Sequence, residues 1–430
     1  MASAGLNRTV GTPTSRQKFT ISAWLKKCNN NISDNQAIYS NYGSSTTFTD
    51  LRLHSSEAIE IIDYQDNTKM RLRTNRVFRD ANAWYHVMVA VDTTLATAND
   101  RIRMWINGEE ETSFSSRTNP AQNLNTTISS GRSQRVGYQG SQYYFNGLLA
   151  HVHYIDGTTY DASAFGETDS TTGIWKPKTS PSVTYGNEGI FLDFASSSDM
   201  GNDVSGNNND LTVTGTITQT IDTPSNVFAT WNPIAFENAF SGGNGNTKAP
   251  GGSSANHNLF VSTLAVSKGK YYFEAEIDAY GGNNPSIGIA SYDVHLIHSN
   301  YVGSITGTIG YTGNGNINEN SSSLVTGLNS YTDGDIIGVG LDLDNNKIYF
   351  YKNGTLENTG GTTITNRLYA FAVSQYGNTG RWLANFGNGY FGTTAVSSAG
   401  TNSGIGTFEY DVPSGYKALC TKNINAQEYS

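Results

Sequence analysis

The sequence predicts an all-β chain: two antiparallel β-sandwich domains in tandem. Three observations predict it. Apolar residues recur with period two along most of the chain, and helical periodicity is nearly missing. Gly, Asn and Ser cluster between the alternating stretches, as short strands joined by tight turns require. Charged residues make up only 15% while aromatic residues hold 11%, so the chain has rings for its cores and lacks the charge that keeps a segment unfolded.

The elements follow in order. Residues 19–25 alternate, as do residues 101–106, which run into Asn107-Gly108. Asn-Gly after an alternating stretch marks a two-residue hairpin, because both residues tolerate positive φ. Residues 85–91 (YHVMVAV) read as a strand buried on both faces. Residues 148–155 form another strand, ending at Asp156-Gly157. Asp161 then caps a single helical turn. Residues 190–194 and 211–214 close the first domain. From 214 to 257 alternation dissolves into Asp222-Thr223-Pro224, Trp231-Asn232-Pro233 and the Gly/Asn-rich residues 241–246. The predicted division is a jelly roll over 1–215, a Gly/Asn/Pro-rich linker over 216–256 and a second sandwich over 257–430. In that second part residues 271–277, 287–290, 336–344, 347–352, 368–373 and 382–387 read as strands, and Asn353-Gly354 marks another hairpin.

Charge narrows the partners. The net charge is -9 and no run of Lys or Arg carries interleaved aromatics, which argues against nucleic acid and anionic lipid. No apolar run approaches the ~18 residues of a membrane helix. The segment that begins Met1-Ala2-Ser3 has no apolar signal-peptide core. The expectation is synthesis in a cytoplasm and no membrane insertion. Cys28 and Cys420 lie almost at opposite ends; two cysteines make no disulfide framework, and both read as buried thiols.

Residues able to carry chemistry fall into a few clusters. Glu274, Glu276 and Asp278 alternate and so share a strand face, which a glycosidase acid–base pair would need. The solvated face of an ordinary strand has the same pattern. Glu60 and Asp63 are three residues apart and fall on opposite faces. His151 and His153 share a face but lack the third ligand of a catalytic zinc site; they read as surface histidines. No nucleophile elbow sits between a strand and a helix. Catalysis is therefore not expected. Asp203, Asn207 and Asn209, with Ser205, alternate oxygen donors around Gly206 and form a candidate calcium loop. No bidentate Glu follows, and a plain turn uses the same residues. No other cofactor is expected. Tyr138, Tyr143 and Tyr144, then Tyr292, Tyr311 with Asn314, and Tyr376, are candidate ligand-binding residues. Tyr offers rigid amphipathic contact, and neighbouring amides bond hydroxyl groups.

Several stretches are recognisable. GKYYFE at 269–274, IGIA at 287–290, GDIIGVGLDLD at 334–344, FYKNG at 350–354 and LANFG at 383–387 stand in the order of a SPRY domain, which the second half resembles. Residues 19–25, 83–87, 104–108 and 145–152 make the first half resemble a concanavalin A-like, laminin-G-type jelly roll. The pair resembles structural proteins of tailed phages, marine ones especially. FRD at 78–80, WYH at 84–86, VDTT at 91–94, FGE at 165–167, DVSGN at 203–207 and PSGYKALC at 413–420 carry that likeness. The resemblance implies a virion surface protein, a head or tail fibre that binds host-surface glycan or receptor through sandwich loops. A capsid decoration protein without a host ligand is the alternative, and a virion-associated glycan hydrolase a lesser one. It further implies other virion proteins as partners and, by symmetry, a homo-oligomer, with a trimer as the expected form.

Overall fold

The computed structural model describes residues 3–28, 32–170, 172–235, 243–251, 257–294, 300–402 and 404–428. They form two compact units that divide after Gln219.

The first unit contains β1 (Gly5–Thr9), β2 (Lys18–Lys27), β3 (Gln36–Ser44), β4 (Thr47–Leu53), β5 (Ala58–Gln65) and β6 (Asn67–Val77). It continues with β7 (Tyr85–Asp92), β8 (Ile102–Ile106), β9 (Glu109–Glu111), β10 (Phe114–Thr118), β11 (Ser133–Val136) and β12 (Gly147–Asp156). A short hairpin of β13 (Gly166–Thr168) and β14 (Trp175–Pro177) precedes the closing β15 (Ile190–Leu192) and β16 (Thr212–Thr214). One antiparallel sheet runs β10-β6-β5-β4-β3-β11-β1-β16, the other β15-β12-β2-β7-β8-β9. Period-two alternation sends Phe19, Ile21, Ala23 and Leu25 of β2 into the core with Leu51, Ile59, Ile61 and Leu72 of the larger sheet. Each large apolar side chain so buried contributes about 1.5–3 kcal/mol. Asn107 (φ 51°) and Gly108 (φ 87°) make the predicted left-handed turn between β8 and β9.

The strand at 85–91 is buried on both faces because the first unit has a third layer. Val87, Val89 and Val91 enter the sandwich core. Met88 and Ala90 face the other way, where Ala162, Phe165, Trp175 and Tyr185 cover them. Asp161 caps the short 3-10 turn of this cover, accepting from the Ser163 backbone N–H at 2.9 Å. The cover corrects the expectation of surface histidines. His153 is buried, its ring 4.1 Å from that of Phe191 and its Nδ1 3.0 Å from the Tyr185 hydroxyl. His151 takes φ 46° in a bulge of β12 and stacks on Phe191.

The second unit is also built on two largely antiparallel sheets. One holds Lys270–Ala279 between Arg381–Asn385 and Ile336–Asp342; the other holds Tyr369–Tyr376 between His257–Val266 and Ser286–Ser291. Phe273, Ile277, Ile289, Val339, Phe350 and Trp382 fill the space between them. Much of the stretch predicted as a linker belongs to this unit. Trp231 is 0% exposed in its core, sets its ring edge-to-face on Phe386 at 5.0 Å and donates from Nε1 to the Thr247 carbonyl at 3.0 Å. Lys248–Ala249 adds an edge strand beside Leu383 and Trp382. The Pro- and Gly-rich composition reports turns there, not a spacer; residues 236–242 and 252–256 of the same stretch lie outside the described residues. The helix Thr421–Glu428 gave no periodic signal, having only Ile424 to set against the core. Among the described residues no helix is long and apolar enough to cross a membrane.

Candidate functional site

The alternation that fills the first core also builds the opposite face of the eight-stranded sheet. Leu51 and Leu53 of β4 point inward, so Phe48, Asp50 and Arg52 point outward. Glu60, Ile62 and Tyr64 do the same on β5, and Arg71 and Arg73 on β6. Strand register arranges these side chains in rows. Arg135, Ser40, Asp50, Ile62 and Arg71 lie opposite one another across five strands. A second row holds Arg52, Glu60 and Arg73; a third holds Tyr42, Phe48 and Tyr64. With strands about 4.8 Å apart the longest row spans about 19 Å.

Charge on this face is unevenly matched. Glu60 is fully buried and accepts from Arg52 Nε at 2.8 Å and Nη2 at 2.6 Å, and from Arg73 Nε at 2.9 Å and Nη2 at 2.8 Å. Arg71 Nε stands 3.1 Å from the same carboxylate. Three guanidinium groups thus share one carboxylate. Asp50 is 0% exposed, yet among the described residues no donor meets hydrogen-bond geometry with either of its oxygens, and none does with the Ser40 hydroxyl beside it. The Arg52 Nη1 is 3.7 Å from Asp50 Oδ2, too long for a hydrogen bond. Burial pushes the Asp50 carboxyl up to about 7, against the pull of Ser40 and Arg52.

Aromatic rings frame the charged rows. Phe48 and Tyr64 stack with centroids 5.4 Å apart. Arg135 lies over Tyr42 at 4.7 Å and over Tyr138 at 5.0 Å, and Tyr138 stacks on Tyr144 at 5.4 Å. The loop between β11 and β12 therefore brings Tyr138 and Tyr144 to the Arg135 end of the face. Tyr138 is buried in that stack, while Tyr143 and Tyr144 are half-buried. Tyr143 takes φ 55° and gives its carbonyl to the Ala37 N–H.

The predicted residues of the second unit do not converge. Tyr311 is a core residue whose hydroxyl bonds the Asn329 carbonyl; its strand alternates inward there, so it cannot meet a ligand. Tyr292 is 61% exposed and follows Ser291, which pairs with Tyr369. Tyr376 lies at the other end of that strand, against His257 at 5.1 Å. Asn314 is exposed in a turn, accepting from Thr312 Oγ1 at 2.7 Å.

The candidate calcium loop is a turn. Asp203 accepts from the backbone N–H groups of Phe191, Ser205 and Asn209 and from the Ser205 hydroxyl, all at 2.8–2.9 Å. Asn207 and Asn209 point their NH2 groups at backbone carbonyls of Gly186, Asn187 and Gly189. Donors fill the carboxylate, and two of the three predicted ligands present hydrogens, so the residues do not fit a hard cation.

Nor do the carboxylates suit hydrolysis. Glu274 is not on a solvated face. A segment carrying Phe408 and Tyr410 crosses above it, and its carboxylate accepts from Tyr272 Oη at 3.1 Å and from the N–H groups of Glu409 and Tyr410 at 2.8 and 3.0 Å. Asp278 is paired with Arg381. In the first unit, His86 Nε2 lies 2.8 Å from Ser22 Oγ. Trp175 Nε1, which can only donate, bonds His86 Nδ1 at 3.0 Å. Nε2 then carries the proton and Ser22 accepts it, the reverse of an activated nucleophile. Burial holds His86 down to about 3. In a groove of about 470 Å³ near Trp105 and Tyr160, Asp92 pairs with Lys18, Asp161 accepts from Ser163, and Arg103 pairs with Glu110.

The arginine rows were missed in the sequence. KMRLR at 69–73 alternates charge with apolar residues, the ordinary mark of a solvated strand. Only strand adjacency reveals that DLR of β4 and EII of β5 supply its neighbours.

Comparison with known proteins agrees with this fold. Residues 6–163 match the model of the concanavalin A-like lectin/glucanases superfamily, and residues 270–385 match that of the SPRY domain. The chain carries one domain of each kind. The SPRY domain of human HERC1 is similar at 18% identity over 36% of this chain and 96% of that chain, with a TM-score of 0.31. A human SPRY domain is similar at 18% over 32% and 90%, with a TM-score of 0.27. The PSpry domain of TRIM65 is similar at 12% over 36% and 87%, with a TM-score of 0.29. No curated protein matches the chain.

Proposed function

We propose that this chain is a surface protein of a tailed-phage virion and that it holds host-surface glycan on the outer face of its first sandwich. The observation that supports the site is the juxtaposition of Tyr64, Tyr42 and four arginines with an unpartnered Asp50 and Ser40. Rings stack on sugar faces, and unsatisfied polar groups bind hydroxyls at little competing cost. The tandem order of jelly roll and SPRY domain, with the motifs quoted above, supports the virion assignment. The reading is one of binding without turnover, since the Glu60 carboxylate is saturated by arginines and Ser22 is an acceptor. Other virion proteins and further copies of the chain are its partners, and a homo-trimer would raise weak single sites through avidity.

The test is adsorption of the phage to its host with purified full-length chain added. Slowed adsorption, with the chain located at an outward-facing appendage by cryo-EM, is the expected result. Unchanged adsorption with the chain flat on the capsid lattice would make it a decoration protein. Absence from the particle would remove the virion reading.

A further inference from the structure

We propose that the ligand of this face is an acidic polysaccharide, a chain of sugar rings bearing carboxylates, with Arg71 receiving a carboxylate and Tyr64 a ring face. The proposal rests on the glycan-binding reading and adds the charge of the ligand.

The first ground is a local reversal of charge. The whole chain has a net charge of -9. On this face Arg52, Arg71, Arg73 and Arg135 stand against Asp50 and Glu60 alone. One carboxylate is shared by three guanidinium groups, and Asp50 makes no hydrogen bond to any of them. A positive surplus therefore persists in a protein that is otherwise acidic, and it focuses on anions.

The second ground is where that surplus is free to act. Arg52 and Arg73 each spend two nitrogens on Glu60. Arg71 differs. Its Nε is within ion-pair range of Glu60 but makes no hydrogen bond, and its side chain is 25% exposed. A planar guanidinium with uncommitted N–H groups fits a carboxylate in two-point contact.

The third ground separates a sugar acid from other anions. Tyr64 is two residues from Ile62 on β5, and Ile62 lies opposite Arg71. Arg71 and Tyr64 are thus diagonal neighbours, roughly 7–8 Å apart at Cα. Phe48 stacks beneath Tyr64 and holds its ring. A uronic-acid ring presents an apolar face, hydroxyls and a carboxylate within that span. Asp50 and Ser40 stand in the same row as Arg71, both buried, with no hydrogen bond to their side-chain oxygens among the described residues. An acidic peptide would use the arginines and leave the ring and the unpartnered hydroxyl site without purpose.

Three polymers test this against the full-length chain in calorimetry or affinity electrophoresis. Polygalacturonate carries rings and carboxylates, its full methyl ester carries the same rings without charge, and polyglutamate carries carboxylates without rings. Polygalacturonate should bind at least tenfold more tightly than either control. Arg71→Gln should weaken it about tenfold at unchanged melting temperature. Arg71→Lys, which retains the charge, should fold alike and lose less. Tyr64→Ala should weaken polygalacturonate while leaving residual polyglutamate binding as it was. Equal binding of the methyl ester overturns the charge assignment and leaves glycan binding standing. Equal binding of polyglutamate makes an acidic protein surface the partner and overturns the proposal. Failure of all sugars to bind removes the glycan reading beneath it. Undiminished binding by folded Arg71→Gln and Tyr64→Ala chains places the site elsewhere and overturns it as well.

Discussion

Among the carboxylates buried on the outer faces of the two large sheets, Asp50 of the first unit and Glu274 of the second are treated differently. Glu274 in the second unit and Asp50 in the first are both fully buried, and burial pushes each carboxyl up to about 7. Glu274 has three donors, one hydroxyl and two backbone N–H groups, brought by its own strand and by the segment around Tyr410. Asp50 has none. The second unit closes its face with Phe408, Tyr416 and Tyr351, leaving an aromatic cluster that belongs to the fold. The first leaves a grid of arginine, tyrosine and unpartnered polar groups. Burial of a polar group without a partner costs about 1–3 kcal/mol in proteins. A face that bears this cost where its counterpart avoids it is the better place to look for a ligand.

The sharpest break of this comparison is a pair of alanine substitutions. Glu274→Ala strands two N–H groups and a hydroxyl under the crossing segment and should lower stability by about 3 kcal/mol. Asp50→Ala strands nothing and should lower it by less than about 1 kcal/mol, or raise it. Denaturant unfolding of the intact chain measures both, with the two units resolved as separate transitions where they unfold apart. Equal losses would mean that Asp50 has a protein partner in solution, and the contrast would fall.

pH sharpens the same contrast. A carboxyl whose folded pKa is near 7 binds its proton more tightly folded than unfolded. Stability from Asp50 is therefore greatest below the ordinary carboxylate range and declines as pH rises from about 4 to about 7. Asp50→Asn should remove that decline, of order 4 kcal/mol, and stabilise the first unit at pH 8. His86 works in the opposite sense: held neutral to about 3, it costs stability as pH falls below 6.5. The difference between wild type and Asp50→Asn isolates the aspartate. An unchanged pH profile in the variant would show that Asp50 is ionised in the folded state with a partner of its own.

How much of this was legible in the sequence follows the range of the signal. Hairpins at Asn107-Gly108 and Asn353-Gly354 were readable because the turn chemistry is local, and both Asn residues take positive φ. The double burial of 85–91 was readable from its unbroken apolar run; what covers it, the Phe165 and Trp175 segment, was not. Trp231 was hidden by the prolines and glycines around it, since turn-rich composition does not say which unit a single large ring will enter. The arginine face escaped for a different reason. Each strand alone looks solvated, and only the register of β4, β5 and β6 joins Asp50, Glu60 and Arg71 into one surface. Among the tyrosines singled out, Tyr138 and Tyr144 meet Arg135, while Tyr311 turns inward because its strand alternates that way.

The smallest expected effect concerns the Asp203 loop, and it extends the comparison to a third carboxylate. Asp203 is buried like Asp50 but holds four donors, so it resembles Glu274 in having both carboxylate oxygens hydrogen-bonded within the chain. A calcium ion would have to displace the N–H groups of Phe191 and Asn209 and turn both asparagine amides around. Ten millimolar calcium acting on a site with a dissociation constant of ~0.1 mM would add about 2.7 kcal/mol. No shift in melting temperature is expected on adding calcium or chelator. A calcium-dependent rise of several degrees, abolished by Asp203→Asn, would show that these donors yield to a cation and that a saturated carboxylate is no guide to a closed site. The contrast between Asp50 and Glu274 would then need the alanine pair to stand on its own.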